Sequence, residues 1–249
     1  MPEIRDISEQ ELVAILEYLE PKTEGDNPTV LVGGWAIYSY NNYEKSRDID
    51  LVLNAKRRGR MLHWLRDERG YKDYKKHEVG WMGAEKRFPE VDGPEKSMIV
   101  DVAGYDEAQR FEDRDERLDF KLVRDHHVVR ELAGCQVRVP TRSLLILFKA
   151  KAAYDRGTRL NAGDSVDPDW ELDKFIKDQS DILALLDSGT DGPDWEVGFL
   201  GSELERLPFL VPVLQKAALD KRAINRYRDG QLSRKDAKAR MDEFLDLVT

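Results

Sequence analysis

The stretch Val30–Leu53, VLVGGWAIYSYNNYEKSRDIDLVL, decides how the chain is read. Val30, Leu31 and Val32 form a short apolar run that ends in the pair Gly33–Gly34, and Ile49 to Leu53 form a second run that carries Asp50, with Asp48 just before it. In a strand, residues two apart point to the same side, so Asp48 and Asp50 present two carboxylates together while Ile49 and Leu51 face the core. Adjacent like charges raise a pKa unless a cation sits between them, and a hard divalent ion suits such oxygens while leaving coordination positions open for substrate phosphates. Gly33 and Gly34 fit a tight strand-to-helix turn in which phosphate oxygens reach backbone N–H groups. Ser46 stands two residues before Asp48 and offers a hydroxyl to the same phosphates.

A third carboxylate lies in Ser97 to Gly104, where Asp101 is a lone charge in the apolar run Met98, Ile99, Val100, Val102 and Ala103. Burying such a charge is costly unless it is paired or metal-bound. If the Asp101 strand pairs beside the Asp48–Asp50 strand, three carboxylates converge and can hold two ions about 4 Å apart, as in-line phosphoryl chemistry requires.

These residues carry a resemblance. An apolar run, Gly33–Gly34, thirteen residues, Asp48-Ile49-Asp50-Leu51 and the distant strand residue Asp101 resemble the polymerase-beta-type nucleotidyltransferase superfamily over about the first 105 residues. Downstream, Leu144, Leu145, Lys149, Ala152 and Arg156, followed by Lys177, Asp178, Asp181, Ile182 and Leu186, resemble the AbiEii-type nucleotidyltransferases of toxin–antitoxin systems. The resemblance implies transfer of a nucleoside monophosphate from an NTP to a hydroxyl, with Mg2+ (Mn2+ as the alternative) held by Asp48, Asp50 and Asp101. It also implies that Gly33, Gly34 and Ser46 position the phosphates and that Lys149 contacts the triphosphate. The implied acceptor is RNA, above all the 3′ end of a transfer RNA, and the implied protein partner is a cognate antitoxin. Gly33, Gly34, Trp35, Ala36 and Ile37 also look like the opening of aminoglycoside and lincosamide nucleotidyltransferases, which makes a small-molecule acceptor the alternative. A catalytically silent binding subunit on the same scaffold is the third reading.

Lys149 and Arg156 are seven residues apart, about two helical turns, so they share a helix face and both are expected to approach a triphosphate held by the sheet domain. Lys149 reads either as a phosphate contact or as a snorkelling lysine. Asp178 and Asp181, three apart, orient Lys149 or an acceptor hydroxyl, or else pair at the surface with Lys174 and Lys177.

The expected fold is α/β (α+β), a mixed-sheet nucleotidyltransferase domain over 1–140 followed by a helical domain over 141–249, with the active site in the cleft between them. Helices are expected at Ser8–Leu19, with Ser8 as N-cap and Glu11 completing a capping box, from Trp35 to Tyr40, and at Arg57–Arg69, closed by Gly70. Three strands are expected between Tyr71 and Gly104, with a turn at Asp92-Gly93-Pro94. Residues 105–119 are strongly acidic and read as an exposed connection, and strands His126–Leu132 and Gln136–Val139 are expected to complete the sheet. Five helices follow, at Ser143–Asp155, Trp170–Leu186, Trp195–Leu207, Val211–Arg228 and Arg234–Leu247, with loops at Gly163–Pro168 and Ser188–Pro193.

The 249 residues, 41% hydrophobic and 36% charged, suit a soluble cytoplasmic enzyme with one large or two modest cores. No apolar stretch is long enough to span a bilayer, and the charged N-terminus has no signal-like apolar region. A single cysteine, Cys135, excludes an internal disulfide and reads as a structural strand residue. The net charge of −9 opposes uniform nucleic-acid binding, yet Lys216 to Arg240 holds nine Lys or Arg against three Asp, a local excess suited to a phosphate backbone or to an ordinary solvated helix face. The four histidines lack a zinc spacing, and among the tryptophans Trp81, between Gly80 and Gly83, is the candidate base-stacking platform.

Overall fold

The computed structural model describes residues 3–19, 28–74, 81–89, 95–187, 195–227 and 232–248. The turn at Asp92 to Pro94, the loop at 188–193, His77 and the side chain of Trp81 lie outside the described residues. The chain divides into two units, Met1–Ala108 with Asp119–Pro140, and Gln109–Leu118 with Thr141–Thr249.

The first unit is built on a five-stranded mixed sheet of β1 (Val30–Val32), β2 (Ile49–Leu53), β3 (Lys72–Tyr74), β4 (Trp81–Phe88) and β5 (Lys96–Gly104), in the order β1-β2-β5-β4-β3. Only β2 and β5 run parallel, as their separation by α3, β3 and β4 permits. Here α3 is Ala55–Arg69, begun by the Asn54 side chain accepting from Arg57 N–H and ended by Gly70 in the left-handed region. Its Met61, Leu62 and Leu65 are buried as their spacing requires. Helix α2 spans Gly33–Tyr40, and α1 spans Ile4–Leu19 with Leu12, Ile15, Leu16 and Leu19 as its buried stripe.

Ser8 does not cap α1. The helix begins a turn earlier, on the Glu3 carbonyl, and the buried Ser8 hydroxyl instead accepts from Trp35 Nε1 at 3.1 Å. Glu11 is likewise buried, where it accepts from Arg69 Nε at 3.2 Å and Lys86 Nζ at 3.1 Å. Both polar side chains have tertiary partners, and a local capping pattern cannot reveal these.

Strands β6 (His127–Leu132) and β7 (Cys135–Pro140) do not extend the sheet. They pair with each other across Ala133 and Gly134, both at positive φ, and form a separate two-stranded ribbon. A two-residue left-handed turn satisfies the ladder locally, so the hairpin closes on itself. Cys135 opens β7 and is half-buried.

The second unit is helical: α4 (Arg142–Ala162), α5 (Pro168–Leu186), α6 (Val197–Arg206), α7 (Leu210–Ala217), α8 (Lys221–Arg226) and α9 (Arg234–Val248). Thr141 caps α4, Asp167 caps α5 with Pro168 at its first position, and Gly163 closes α4. Two expectations change here. Helix α4 runs on to Ala162, because Arg156 and Arg159 in its last turns are held by carboxylates of α5. The expected helix Val211–Arg228 is two helices, broken at Ala218–Asp220, where the Asp220 carboxylate accepts from Arg222 N–H at 2.8 Å and starts α8.

Residues 109–118 are not a bare connection. Phe111 and Leu118 are buried, and Phe111 meets Tyr154 and Phe209 edge-on at centroid distances of 5.5 and 4.9 Å. Phe111 thereby anchors the acidic run against Tyr154 of α4. No described helix is long and apolar enough to cross a membrane.

Candidate active site

Strand register aligns the sheet residues of the candidate site. Val32 pairs with Asp50, Asp50 with Asp101, Asp101 with Gly83, and Gly83 with Tyr74, so one row crosses all five strands and its members share a face. The two carboxylates are neighbours in the middle of that row. Asp101 is 5% exposed and Asp50 is half-buried. Ile49, Leu51, Val100 and Val102 point to the opposite face and are fully buried, which fixes the register by the core and leaves the charges on the other side.

Two glycines fit against these carboxylates. Gly33 has φ +67°, and a Cβ there would lie 2.0 Å from Asp50 Oδ2, so the strand-to-helix turn passes against the carboxylate only because the side chain is missing. A Cβ on Gly83 would lie 2.9 Å from Asp101 Oδ1. Gly34 is buried in the first turn of α2, which Val32 caps without a side-chain hydrogen bond.

Asp48 and Ser46 occupy the entry to β2. Asp48 Oδ1 accepts from the Ile99 N–H and from Arg47 Nε, each at 3.3 Å. The buried Ser46 hydroxyl donates to the Asp48 carbonyl at 2.9 Å, so its proton is used within the loop. Among the described residues no three His, Cys, Asp or Glu side chains are gathered as a metal site. The donor set is wholly carboxylate, which suits a hard divalent cation. Asp50 and Asp101 are register neighbours in that set, while Asp48 is held at the entry to β2 by the Ile99 amide.

The candidates from the helical region form their own cluster. Lys149 Nζ lies 2.9 Å from Asp178 Oδ1 and 2.6 Å from Asp181 Oδ2, and Arg156 Nε donates to Asp178 Oδ2 at 2.8 Å. Asp178 and Asp181 are 5% and 0% exposed, which makes them buried partners of Lys149; Lys177 also reaches Asp181, at 3.0 Å. Burial by itself pushes the Lys149 ammonium pKa down, but Asp178 and Asp181 outweigh it and hold the pKa above the ordinary lysine value. For Asp178, burial works upward and is outweighed by Lys149 and Arg156, so its carboxyl stays below the usual range. Glu171 and Arg159 belong to the same network, with Arg159 NH2 2.7 Å from Glu171 Oε1. Glu171 precedes Asp178 by seven residues, the spacing of Lys149 to Arg156, so two facing charged stripes were legible in the sequence.

The basic segment is largely engaged within the chain. Arg222 pairs with Asp220 at 2.9 Å, Arg226 with Asp173 at 2.8 Å and Arg240 with Asp187 at 3.1 Å, while Lys216 lies over the Phe175 ring at 5.4 Å. Arg228 lies outside the described residues.

No protein-family model matches the chain, and no curated protein matches it in sequence. Among solved structures it is similar to an antigenic nucleotidyltransferase-like protein from Paracoccidioides brasiliensis, with 15% identity and a TM-score of 0.44 over 86% of this chain and 93% of that one. It is also similar to ANT(2″)-Ia. The complex of that protein with adenylyl-2″-tobramycin gives 16% identity and a TM-score of 0.36 over 68% of this chain and 86% of that one. The solution structure of the antibiotic-resistance factor ANT(2″)-Ia gives 16% identity and a TM-score of 0.36 over 97% and 93%.

Proposed function

We propose that the chain is a metal-dependent nucleotidyltransferase that moves a nucleoside monophosphate from an NTP to an acceptor hydroxyl. The observation that carries this reading is the pairing of Asp50 with Asp101 in one row of the sheet, with Gly33 turned tightly against Asp50. In it, the backbone amides of Gly33 and Gly34 at the start of α2 face the phosphates, as helix N-termini do. Asp48, Asp50 and Asp101 hold Mg2+, or Mn2+ in its place. When bound, such an ion grips triphosphate oxygens and neutralises developing charge. Asp101 takes the proton of the acceptor hydroxyl as its oxygen bonds to the α-phosphorus. The bond from that phosphorus to the bridging oxygen breaks, and pyrophosphate leaves. Catalysis in this reading rests on alignment and electrostatics.

For the acceptor, the AbiEii-like motif favours RNA, with a transfer RNA 3′ end as substrate and an antitoxin as partner. The ion pairs made by Arg222, Arg226 and Arg240 favour the second reading, a small-molecule acceptor, because those cations are already neutralised. Incubation with α-labelled NTPs, Mg2+ and either total RNA or a panel of amino-sugar antibiotics tests both. Label on RNA supports the first and label on an antibiotic the second. No label from any NTP rejects transfer and leaves a silent binding subunit.

A further inference from the structure

We infer that Gly83 is a positioning residue for Asp101, holding open the space in which its carboxylate stays turned in the row beside Asp50; this deepens the nucleotidyl-transfer reading and rests on it. Gly83 lies in the interior of β4, where glycine weakens a strand and signals a close approach. That approach comes from the carboxylate itself. An added Cβ would lie 2.9 Å from Asp101 Oδ1, 3.2 Å from Tyr74 Cδ1 and 3.4 Å from the Tyr74 carbonyl oxygen. Tyr74 borders the slot on the β3 side, and Asp101 is 5% exposed, so its carboxylate has little room to turn away. A methyl group at 83 therefore drives the carboxylate along the row toward Asp50, a like charge. The two acids nearest the reacting phosphate are thus each matched to a glycine, Gly33 for Asp50 and Gly83 for Asp101.

The test is a double-mutant cycle with Gly83→Ala and Asp101→Asn. Alone, Gly83→Ala is expected to lower kcat for label transfer at saturating Mg2+ by about tenfold, within the range for groups that orient metal ligands. The KM for NTP should stay within about twofold, and circular dichroism should show the variant folded at the assay temperature. In the Asp101→Asn background the same change should cost nothing further, because its effect passes through Asp101. An equal loss in both backgrounds, or a Gly83→Ala protein as active as wild type, overturns the proposal. Mn2+ affinity of the NTP-free protein, read by electron paramagnetic resonance, decides the matter without turnover. Gly83→Ala should weaken it about tenfold, and an unchanged affinity overturns the proposal. Wild-type protein that binds Mn2+ but labels nothing sinks the transfer reading and leaves Gly83 to be judged by affinity. Protein that binds no Mn2+ overturns both.

Discussion

Asp50 carries the sharpest prediction at the scale of single residues. Asp50→Asn keeps the shape of the side chain and removes its charge, so label transfer should fall about 100-fold or more, the loss typical of one preorganised electrostatic partner. The fold should survive, since the substitution relieves repulsion with Asp101 across the paired strands. Transfer at the wild-type rate in a folded Asp50→Asn protein contradicts the assignment. Gln179 makes a different prediction. It is fully buried, and neither its amide oxygen nor its nitrogen has a hydrogen-bond partner among the described residues. Gln179→Met keeps the volume and removes the stranded dipole, so unfolding should cost about 1 kcal/mol more, seen as a rise of about 3 °C in melting temperature. A fall in melting temperature would show that the amide is satisfied in solution. Neither the burial of the Gln179 amide nor the closeness of Gly83 to Asp101 was visible in the sequence, because burial and the approach of a residue from another strand leave no local mark.

At the scale of elements, α4 and α5 are joined by a buried charge network in which Lys149, Arg156 and Arg159 face Asp178, Asp181 and Glu171. Asp178→Asn strips one shared partner from two cations and should destabilise the protein by about 3 kcal/mol, measured by urea unfolding. The pH dependence follows from the directions of the shifts. Asp178 is held below its ordinary pKa, so its contribution is complete above the unfolded-state value of about 4 and is lost as pH falls through the folded-state value. Lys149 is held above its ordinary pKa, so its contribution is complete below about 10 and is lost as pH rises through the folded-state value. Stability should therefore stay level between those limits and fall in acid, and Asp178→Asn should flatten the acid limb. An unchanged acid limb in that variant removes Asp178 as its cause. The helices and strands themselves were mostly legible from spacing and end signals, as in the buried Met61, Leu62 and Leu65 and the closing Gly70 of α3. Ser8 was misread because its tertiary partner, Trp35, outcompetes a local cap.

At the scale of the whole molecule, a native-state ligand raises stability by mass action. Mg2+ with NTP at about 100 times Kd should add about 2.7 kcal/mol to unfolding, and Asp50→Asn should abolish the gain. An unchanged wild-type melting curve across all four NTPs supports the silent-scaffold reading. The acceptor has its own signature. If RNA lies along the basic segment, replacing Lys221, Arg222 and Arg226 with Ala should weaken RNA binding and flatten its salt slope by about one per lost phosphate contact. If those cations serve Asp220 and Asp173 instead, the slope stays as it was and stability drops. By itself the sequence determined the mixed α/β class, the Gly33–Gly34 turn and the two apolar strands that carry Asp50 and Asp101, because alternation and periodicity are local consequences of what each strand or helix must bury. Only the tertiary structure decided that Asp50 and Asp101 are register partners, that Gly83 and Tyr74 continue their row, and that the β6–β7 hairpin closes on itself. It also decided that Lys149 is held between two buried carboxylates. Strand order and buried ion pairing join residues far apart in the chain, and the competition among such partners is settled only when the core closes around them.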